Sequence, residues 1–437
     1  MFAYHFRMAW LSLRKTPVLS ALIVSAIGLG IGVCISILTV YSLMNTDPAP
    51  AISHRLFTYK LHNQAALMDG QSADEATEMV GYRDALNLLS SDIPVRQSLH
   101  YQTAAVFYPA GAQQTPFSDE VRLATAGFFA THRVPFLYGS HWSASDEQRG
   151  VYQVVLTREL NEQLFEGRSS IGEELRIGEH IFKVVGVMDH FKPTPLYMEL
   201  DGGSFREMSG AFIPFSLTSE LGMNKKGGST SCSGDPDGDD WQSFLEAECR
   251  WIHHWVELED EGSVSAYTEF LDNYAMSQRQ YNRFMGPFEN EIHDVPGWLR
   301  DQQVVNEDYK ILLGVAFLFL LVCLLNCIGL LLAKFLGKVG EMSLRRAVGG
   351  SRKMIFRQHL VEVSLIGLLG GAVGLALALA GLVGIRGLYR NYEQLTHLNI
   401  DLVLLAIVLA VGSTLLAGLY PAWRICRLPV SRYLKDQ

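Results

Sequence analysis

The sequence is poor in charged residues and in catalytic signatures. Only 19% of its 437 residues are charged, and 49% are hydrophobic, whereas an average soluble domain has about 25% charged residues. It contains no Gly-x-x-x-x-Gly-Lys-[Ser/Thr] loop, no Gly-x-Ser-x-Gly elbow and no His-Glu-x-x-His pair. Without a phosphate-binding loop, an ATP-driven function needs another polypeptide, and hydrolase chemistry has no motif to support it. The net charge of −9 also disfavours nucleic acid as a partner, because that affinity depends on basic residues.

Four apolar stretches are long enough to cross a bilayer, for which a helix needs about 20 residues. They run over residues 18–43, 311–333, 360–385 and 402–420. The first exceeds the ~7–15 apolar residues of a secretory signal, so we predict an uncleaved membrane anchor.

Basic residues lie at one end of each apolar stretch and predict the topology. They are Arg7, Arg14 and Lys15; then Lys334, Lys338, Arg345, Arg346, Arg352, Lys353 and Arg357; and finally Arg424, Arg427, Arg432 and Lys435. The positive-inside rule places all three groups, and therefore both termini, in the cytoplasm. The segment 45–310 is then extracytoplasmic. It holds 40 acidic and 20 basic residues, so its surface either attracts cationic cargo or simply keeps the domain soluble.

The extracytoplasmic segment has the mixed pattern of an α+β domain. Strands are predicted over 56–61, 97–110, 118–125, 151–156, 170–177 and 181–187, and helices over 74–89 and 158–165. The composition changes near residue 190, so we predict a first core lobe over 45–189 and an inserted second lobe over 190–298. The second lobe is expected to contain helices over 241–258 and 263–284. A stalk helix from Leu299 is expected to lead into the second span.

Glycines in the spans are predicted to pack helices together and not to bind a dinucleotide, since no strand precedes them. These are Gly28, Gly30 and Gly32 in the first span and Gly367, Gly370, Gly371 and Gly374 in the third.

The extracytoplasmic segment offers two weak metal patterns and one possible disulfide. Asp235, Asp237, Asp239 and Glu246 have calcium-loop spacing, but Asp240 stands where the loop needs glycine. Cys249, His253, His254 and Glu257 would share one face of a helix. We predict no metal at either place. Cys232 and Cys249 could form a disulfide in an oxidising compartment, whereas Cys34, Cys323, Cys327 and Cys426 are expected to be apolar or reduced thiols.

The connection between the second and third spans is amphipathic. Leu344, Val348 and Ile355 are expected to face apolar surface, and the interleaved arginines stay polar. Gly349-Gly350-Ser351 predicts a break between two short helices. The alternative is a basic juxtamembrane segment that contacts anionic lipid.

Four motifs and one longer outer segment resemble the MacB/FtsX-like permease superfamily of ABC transporters. Glu341–Gly350 is similar to its Glu-(Ile)-Gly-(Ile)-Arg-(Arg/Lys)-Ala-(Ile/Val)-Gly-Ala signature, with Ser343 in place of the first glycine. Leu360–Gly371 looks like its third span, and Tyr420–Val430 resembles a shortened form of its closing motif. Ala9–Arg14 also fits, and Val151–Val187 looks like its periplasmic core.

The resemblance implies a four-helix membrane protein with a large α+β periplasmic domain in the bacterial inner membrane. It implies a homodimer or heterodimer of permeases bound to two ATPase subunits, which hold the ATP and magnesium, and it implies no cofactor on this chain. The 334–359 loop would then contact the ATPase. We expect the coupling residues there to be Glu341, Leu344, Arg345, Arg346, Val348, Gly349 and Arg352.

Three functions of this family remain open at the level of sequence. The first is ATP-driven export of a periplasmic substrate such as a peptide or drug by mechanotransmission, with a periplasmic adaptor and an outer-membrane channel as possible partners. The second is lipoprotein extraction of the LolC/LolE type. The third is FtsX-like regulation of a cell-wall hydrolase, which the length of the outer segment disfavours.

Overall fold

A computed structural model describes residues 2–61, 78–109, 115–200, 203–222, 230–233, 236–284, 290–304, 307–349, 351–388 and 400–427. The chain divides into two compact units, and each is described by itself. One consists of Met1–Asn45 and Val305–Gln437, and the other is Thr46–Val304.

Most of the long helices lie towards the two ends of the chain, and the strands lie between them together with shorter helices. The helices are α1 (Phe2–Lys15), α2 (Pro17–Met44), α3 (Tyr82–Leu89), α4 (Gly127–Thr131), α5 (Ala144–Gln148), α6 (Arg158–Phe165), α7 (Thr218–Leu221), α8 (Trp241–Glu246), α9 (Glu261–Arg279), α10 (Val295–Asp301), α11 (Glu307–Leu336), α12 (Val339–Ala347), α13 (Arg352–Leu388) and α14 (Ile400–Cys426). The strands are β1 (Leu56–Lys60), β2 (Met79–Val80), β3 (Arg96–Tyr108), β4 (Phe117–Ala124), β5 (Phe136–Gly139), β6 (Gln153–Leu156), β7 (Glu174–Ile177), β8 (His180–Met188), β9 (Ala211–Pro214), β10 (Ser231–Cys232), β11 (Cys249–Arg250), β12 (Ile252–Glu257) and β13 (Glu291–Asp294).

Within the residues that the structure describes, the helical unit contains four helices that are long and apolar enough to cross a membrane. Their spans are Pro17–Ser42, Asp308–Leu336, Arg352–Gly384 and Val403–Cys426. All four predicted spans are confirmed. The third begins eight residues earlier than expected because α13 is continuous from Arg352, so the second short helix predicted after Gly349 is the first part of this span.

The seven glycines predicted to pack the spans lie at helix contacts. A Cβ atom added to Gly28 would lie 2.7 Å from the Val373 side chain, and one added to Gly374 would lie 3.0 Å from the Gly28 carbonyl oxygen. Gly32 and Gly370 also lie between α2 and α13, Gly30 lies against Leu320 of α11, and Gly367 and Gly371 lie against α14. The missing side chains therefore allow backbones to approach closely.

The other unit is built on a mixed sheet that has 11 strands among its described residues. Its main order is β13-β1-β12-β3-β4-β9-β6-β8-β5, with β2 beside β12 and β7 beside β3 and β8. β4 and β9 are parallel, as are β6 and β8. Alternate residues of the central strands enter different apolar cores: Val154 and Leu156 lie in one, and Val155 and Phe212 lie in the other. Central strands are therefore buried on both faces.

Most predicted strands and α6 are confirmed, but two predicted helices are only partly correct. The helix predicted over 241–258 ends at Glu246, and its remainder is β11 and β12. Every residue of β12 is buried, so it lacks the one-sided pattern that identifies a strand. The helix predicted over 74–89 begins only at Tyr82, after β2, and residues 74–77 lie outside the described part.

The boundary predicted at residue 190 divides the chain but not the sheet. β9, β12 and β13 from the second segment are in the same sheet as the strands of the first, so residues 46–304 form one unit. The stalk helix expected from Leu299 is also corrected, because α10 ends at Asp301 and α11 begins separately at Glu307.

Gly374→Val should destabilise the helical unit, because its side chain would meet the Gly28 backbone and Ile31. Overpacking of this kind costs about 1–3 kcal/mol. We expect a lower midpoint in thermal unfolding of the full chain in detergent. Gly329→Val is the matched control, since apart from its own helix backbone no atom of the described residues lies within 4 Å of a Cβ atom built there. Equal midpoints for the two variants would refute the packing role.

Candidate functional site

Helix α12 is held between two spans by short connections. It begins directly after Lys338 and ends at Ala347. Gly349 has φ of 103°, a left-handed conformation that favours glycine. The backbone N–H of Met354 then donates to the Ser351 hydroxyl oxygen at 3.2 Å, which caps the start of α13. The predicted break at Gly349–Ser351 is therefore found, although Gly350 itself lies outside the described residues.

One side of α12 presents two apolar residues to solvent. Leu344 is 59% exposed and Val348, just beyond the helix, is 84% exposed. Met342 and Ser343 are buried on the other side. Ile355, expected on the same surface as Leu344, is instead buried in the helical core. We call Leu344 and Val348 the apolar ridge.

The charged residues of this region differ in availability. Glu341 and Arg345 pair with each other at 2.6 Å, and Arg345 also donates to the Gln358 side chain at 3.1 Å. Arg352 is exposed and Arg346 is partly buried. The expectation that Glu341 and Arg345 face a partner is thus modified, because each already has a partner in this chain.

A buried ionic network behind α12 was not predicted from the sequence. The Glu362 carboxylate lies 3.0 Å from the Lys334 ammonium and 3.0 Å from the Lys338 ammonium. The Ser12 hydroxyl also contacts both Glu362 and Lys338. The network therefore joins α1, α11, α13 and the start of α12. The available signal was an ionisable residue within a predicted span, which is costly unless it has a partner or a function.

The outer unit contains the disulfide considered from the sequence. Cys232 and Cys249 are bonded and join β10 to β11, which pair at these two residues.

Among the described residues, neither the calcium-loop pattern nor the cysteine and histidine pattern brings its side chains together as metal ligands. Asp240 caps α8 by accepting from the Ser243 N–H at 2.9 Å, while Asp237, Asp239 and Glu246 are exposed. Asp235 lies outside the described residues. His253 and His254 are consecutive on strand β12, so they point to opposite faces of the sheet and not to one helix face.

A different metal-type cluster is present in the described residues. Ligand atoms of Glu291, His293 and Asp301 lie within 4.8 Å of one another. The Lys60 ammonium is 2.5 Å from the Asp301 carboxylate, so a cationic group already lies at this cluster.

Buried histidines characterise the interior of the outer sheet. His132 contacts the Ser98 hydroxyl at 3.2 Å and the Tyr197 hydroxyl at 2.9 Å, and His254 contacts the Tyr59 hydroxyl at 2.6 Å. Burial lowers the pKa of His132 to about 3, with a further contribution from Arg122, and burial alone lowers the pKa of His254 to about 3. Both imidazoles are therefore neutral in the folded unit.

Two family descriptions match most of the chain. The MacB-like periplasmic core domain matches residues 20–267, and the FtsX-like permease C-terminal domain matches residues 313–430. The chain belongs to the MacB/FtsX-like ABC transporter permease family. The apolar ridge and α12 lie within the FtsX-like part, whereas the first span and most of the outer sheet lie in the MacB-like part.

Curated members of the MacB/FtsX-like family are distant in sequence. The macrolide export ATP-binding/permease protein MacB of Syntrophobacter fumaroxidans is 24% identical over 327 residues, which cover 70% of this chain and 45% of that protein. The pyoverdine export ATP-binding/permease protein PvdT of Pseudomonas savastanoi pv. phaseolicola is 24% identical over 254 residues, covering 58% and 33%. This chain thus spans less than half the length of these relatives.

A solved structure is also similar. The periplasmic region of MacB from Actinobacillus actinomycetemcomitans has a TM-score of 0.37 and 12% identity, and the match covers 58% of this chain and 94% of that one.

The buried histidines make the outer unit sensitive to acid. An unfolded histidine has a pKa of about 6.5, so below that pH the unfolded chain binds protons that the folded unit excludes. Stability should be complete above pH 6.5 and fall as the pH drops towards 3, by about 1.4 kcal/mol per pH unit for each histidine.

His132→Gln tests this because it removes one titrating group from the interior. Chemical unfolding of the full chain, followed by tryptophan fluorescence between pH 7 and 5, should show a weaker pH dependence than in the unmodified chain. His190→Gln changes an exposed histidine and should leave the dependence unchanged. A His132→Gln slope equal to that of His190→Gln would contradict the assignment.

Proposed function

We propose that this chain is the permease subunit of an ABC transporter that uses ATP hydrolysis on a separate ATPase subunit to move its periplasmic domain. The observation that carries the proposal is the apolar ridge, since Leu344 on α12 and Val348 at its C-terminal cap are both exposed, while the other side of the helix is packed against the spans. Exposed apolar residues four positions apart, along a helix and its cap, are the pattern with which a helix enters a partner's groove.

The short connections of α12 would transmit a displacement of the apolar ridge to the spans α11 and α13. α12 follows α11 after two residues and precedes α13 by four. The Lys338–Glu362 ion pair links the start of α12 to the interior of α13. A displacement of α12 by the ATPase therefore moves α11 and α13 together, and this motion is the mechanical output of the subunit.

For the substrate, we propose export of a periplasmic molecule such as a peptide or drug, with a second permease chain completing the transporter. The names of the relatives, which refer to macrolide and pyoverdine export, support this class. A periplasmic adaptor and an outer-membrane channel are proposed as further partners. Lipoprotein extraction of the LolC/LolE type is the alternative, and identification of the co-purified cargo by mass spectrometry separates the two.

The proposed orientation places both termini and α12 in the cytoplasm and residues 46–304 in the periplasm of the inner membrane. Gly203→Cys and Ser351→Cys should then be labelled differently by a membrane-impermeant thiol reagent in cells with a permeabilised outer membrane. We expect labelling at position 203 and protection at 351, with labelling of 351 only after the inner membrane is lysed. Labelling of 351 in intact spheroplasts would overturn the orientation.

The coupling role of the ridge is tested by co-purification with the ATPase. Leu344→Asp should abolish the complex, because the contact would bury an unpaired charge, and apolar anchors carry most interface affinity. Arg352→Ala should weaken the complex with the ATPase more at low than at high salt, because salt screens the attraction between exposed charges at the rim of an interface.

Ile181→Asp is the matched control for Leu344→Asp. Ile181 lies on β8 of the outer unit and is 58% exposed, against 59% for Leu344. The control should keep the ATPase bound, which separates a local contact from a general effect of the added charge. Full retention of the ATPase by Leu344→Asp would discard the coupling assignment.

A further inference from the structure

A cavity of about 260 Å³ lies within the helical unit, between α1, α12 and the start of α13. Its walls carry four basic lysine and arginine side chains, two acidic side chains and apolar side chains from α1, together with His359, whose ring lies 3.7 Å from the Glu362 carboxylate. The basic ones are Arg14, Lys15, Lys338 and Arg345, and the acidic ones are Glu341 and Glu362. At about 30 Å³ per water molecule, this space has room for a phosphate and the atoms attached to it.

The charges around the cavity are unbalanced towards the positive side. Glu341 is neutralised by Arg345, and the single carboxylate of Glu362 faces two ammonium groups, those of Lys334 and Lys338, at 3.0 Å each. One of these ammonium charges is therefore not compensated by Glu362. Both lysine side chains are largely removed from solvent, with exposures of 0% and 17%. A buried charge without a counter-charge is costly, so an anion beside Lys338 would stabilise the network.

The position of α1 indicates which kind of anion enters. Phe6, Trp10 and Leu11 are exposed on this helix, and the Arg14 guanidinium lies over the Trp10 ring at 5.6 Å. Exposed aromatic and aliphatic residues beside arginine and lysine are typical of a helix that lies in the membrane interface. Leu11 and Met8 also line the cavity, so its wall offers apolar contact next to the basic groups. A small water-soluble anion has no apolar group that could contact this wall, whereas a lipid has.

We propose that this cavity binds the headgroup of an anionic phospholipid, with the phosphate next to Lys338 and Arg14 and the first acyl atoms along Leu11. The lipid would connect α1 to α12 and supply the charge that the Glu362 network lacks. Basic cavities between membrane helices are suited to such headgroups because surface charge and helix packing both favour them.

The test uses the full chain purified in a neutral detergent without its ATPase. Thermal unfolding is followed while short-chain phosphatidylglycerol is added, in parallel with phosphatidylcholine of the same chain length and with glycerol 3-phosphate. We expect saturable stabilisation by phosphatidylglycerol alone. Equal stabilisation by phosphatidylcholine would overturn the anion site, and equal stabilisation by glycerol 3-phosphate would overturn the lipid as its occupant.

Charge variants on α1 separate a cavity from diffuse attraction. Arg14→Gln should weaken the effect of phosphatidylglycerol by roughly fivefold in half-saturating concentration, as expected for one basic residue at an anionic surface. Lys15→Gln provides a second variant in case the first unfolds. Arg7→Gln removes the same charge from an exposed position on the same helix that does not line the cavity, and should have no effect. Equal weakening by Arg7→Gln and Arg14→Gln would refute the proposal.

Discussion

The close approach of α2 and α13 is the constraint on which the helical unit depends. Gly28 and Gly374 allow the two backbones to pass at distances that a single methyl group would prevent. Within a membrane there is no hydrophobic force between helices, so such packing supplies much of the association. The position of α13 then determines where Glu362 meets Lys334 and Lys338, and through Lys338 it determines where α12 begins. The position of the apolar ridge thus depends on the packing of α2 against α13, which Gly28 and Gly374 allow.

The outer unit solves a different problem, because its central strands have no solvent face. Polar groups enclosed between the sheet and its covering segments must find partners inside the protein. Arg122 and Glu199 do so as a fully enclosed ion pair at 2.8 Å. The buried Glu257 carboxylate pairs instead with two partly exposed arginines, Arg133 at 2.7 Å and Arg96 at 3.0 Å. Removal of Glu199 would take the carboxylate partner from the fully buried Arg122. Because this is costly, the pair favours one arrangement of the sheet.

The sequence predicted what depends on local pattern and missed what depends on distant residues. The spans, helix α6, the hairpin of β7 and β8 and the break at Gly349 follow from apolar length, capping and turn residues. β12 was mistaken for a helix because its aromatic residues and histidines are buried on both faces and show no period. The pairing of Glu362 with Lys334 depends on how α11 is positioned along α13. This register cannot be predicted from the sequence of either helix alone.

The order of the outer sheet has a consequence for biogenesis. β1 is the first strand after the first span, and it lies between β12 and β13. These two are the last strands in the sequence of the outer unit. Until translation and translocation have delivered Glu291–Asp294, β1 lacks one of its two neighbours and the sheet cannot close. Such long-range pairing is intrinsically slow and leaves strand edges exposed in the meantime. The sheet of residues 46–304 therefore cannot be completed until nearly all of this segment has been synthesised.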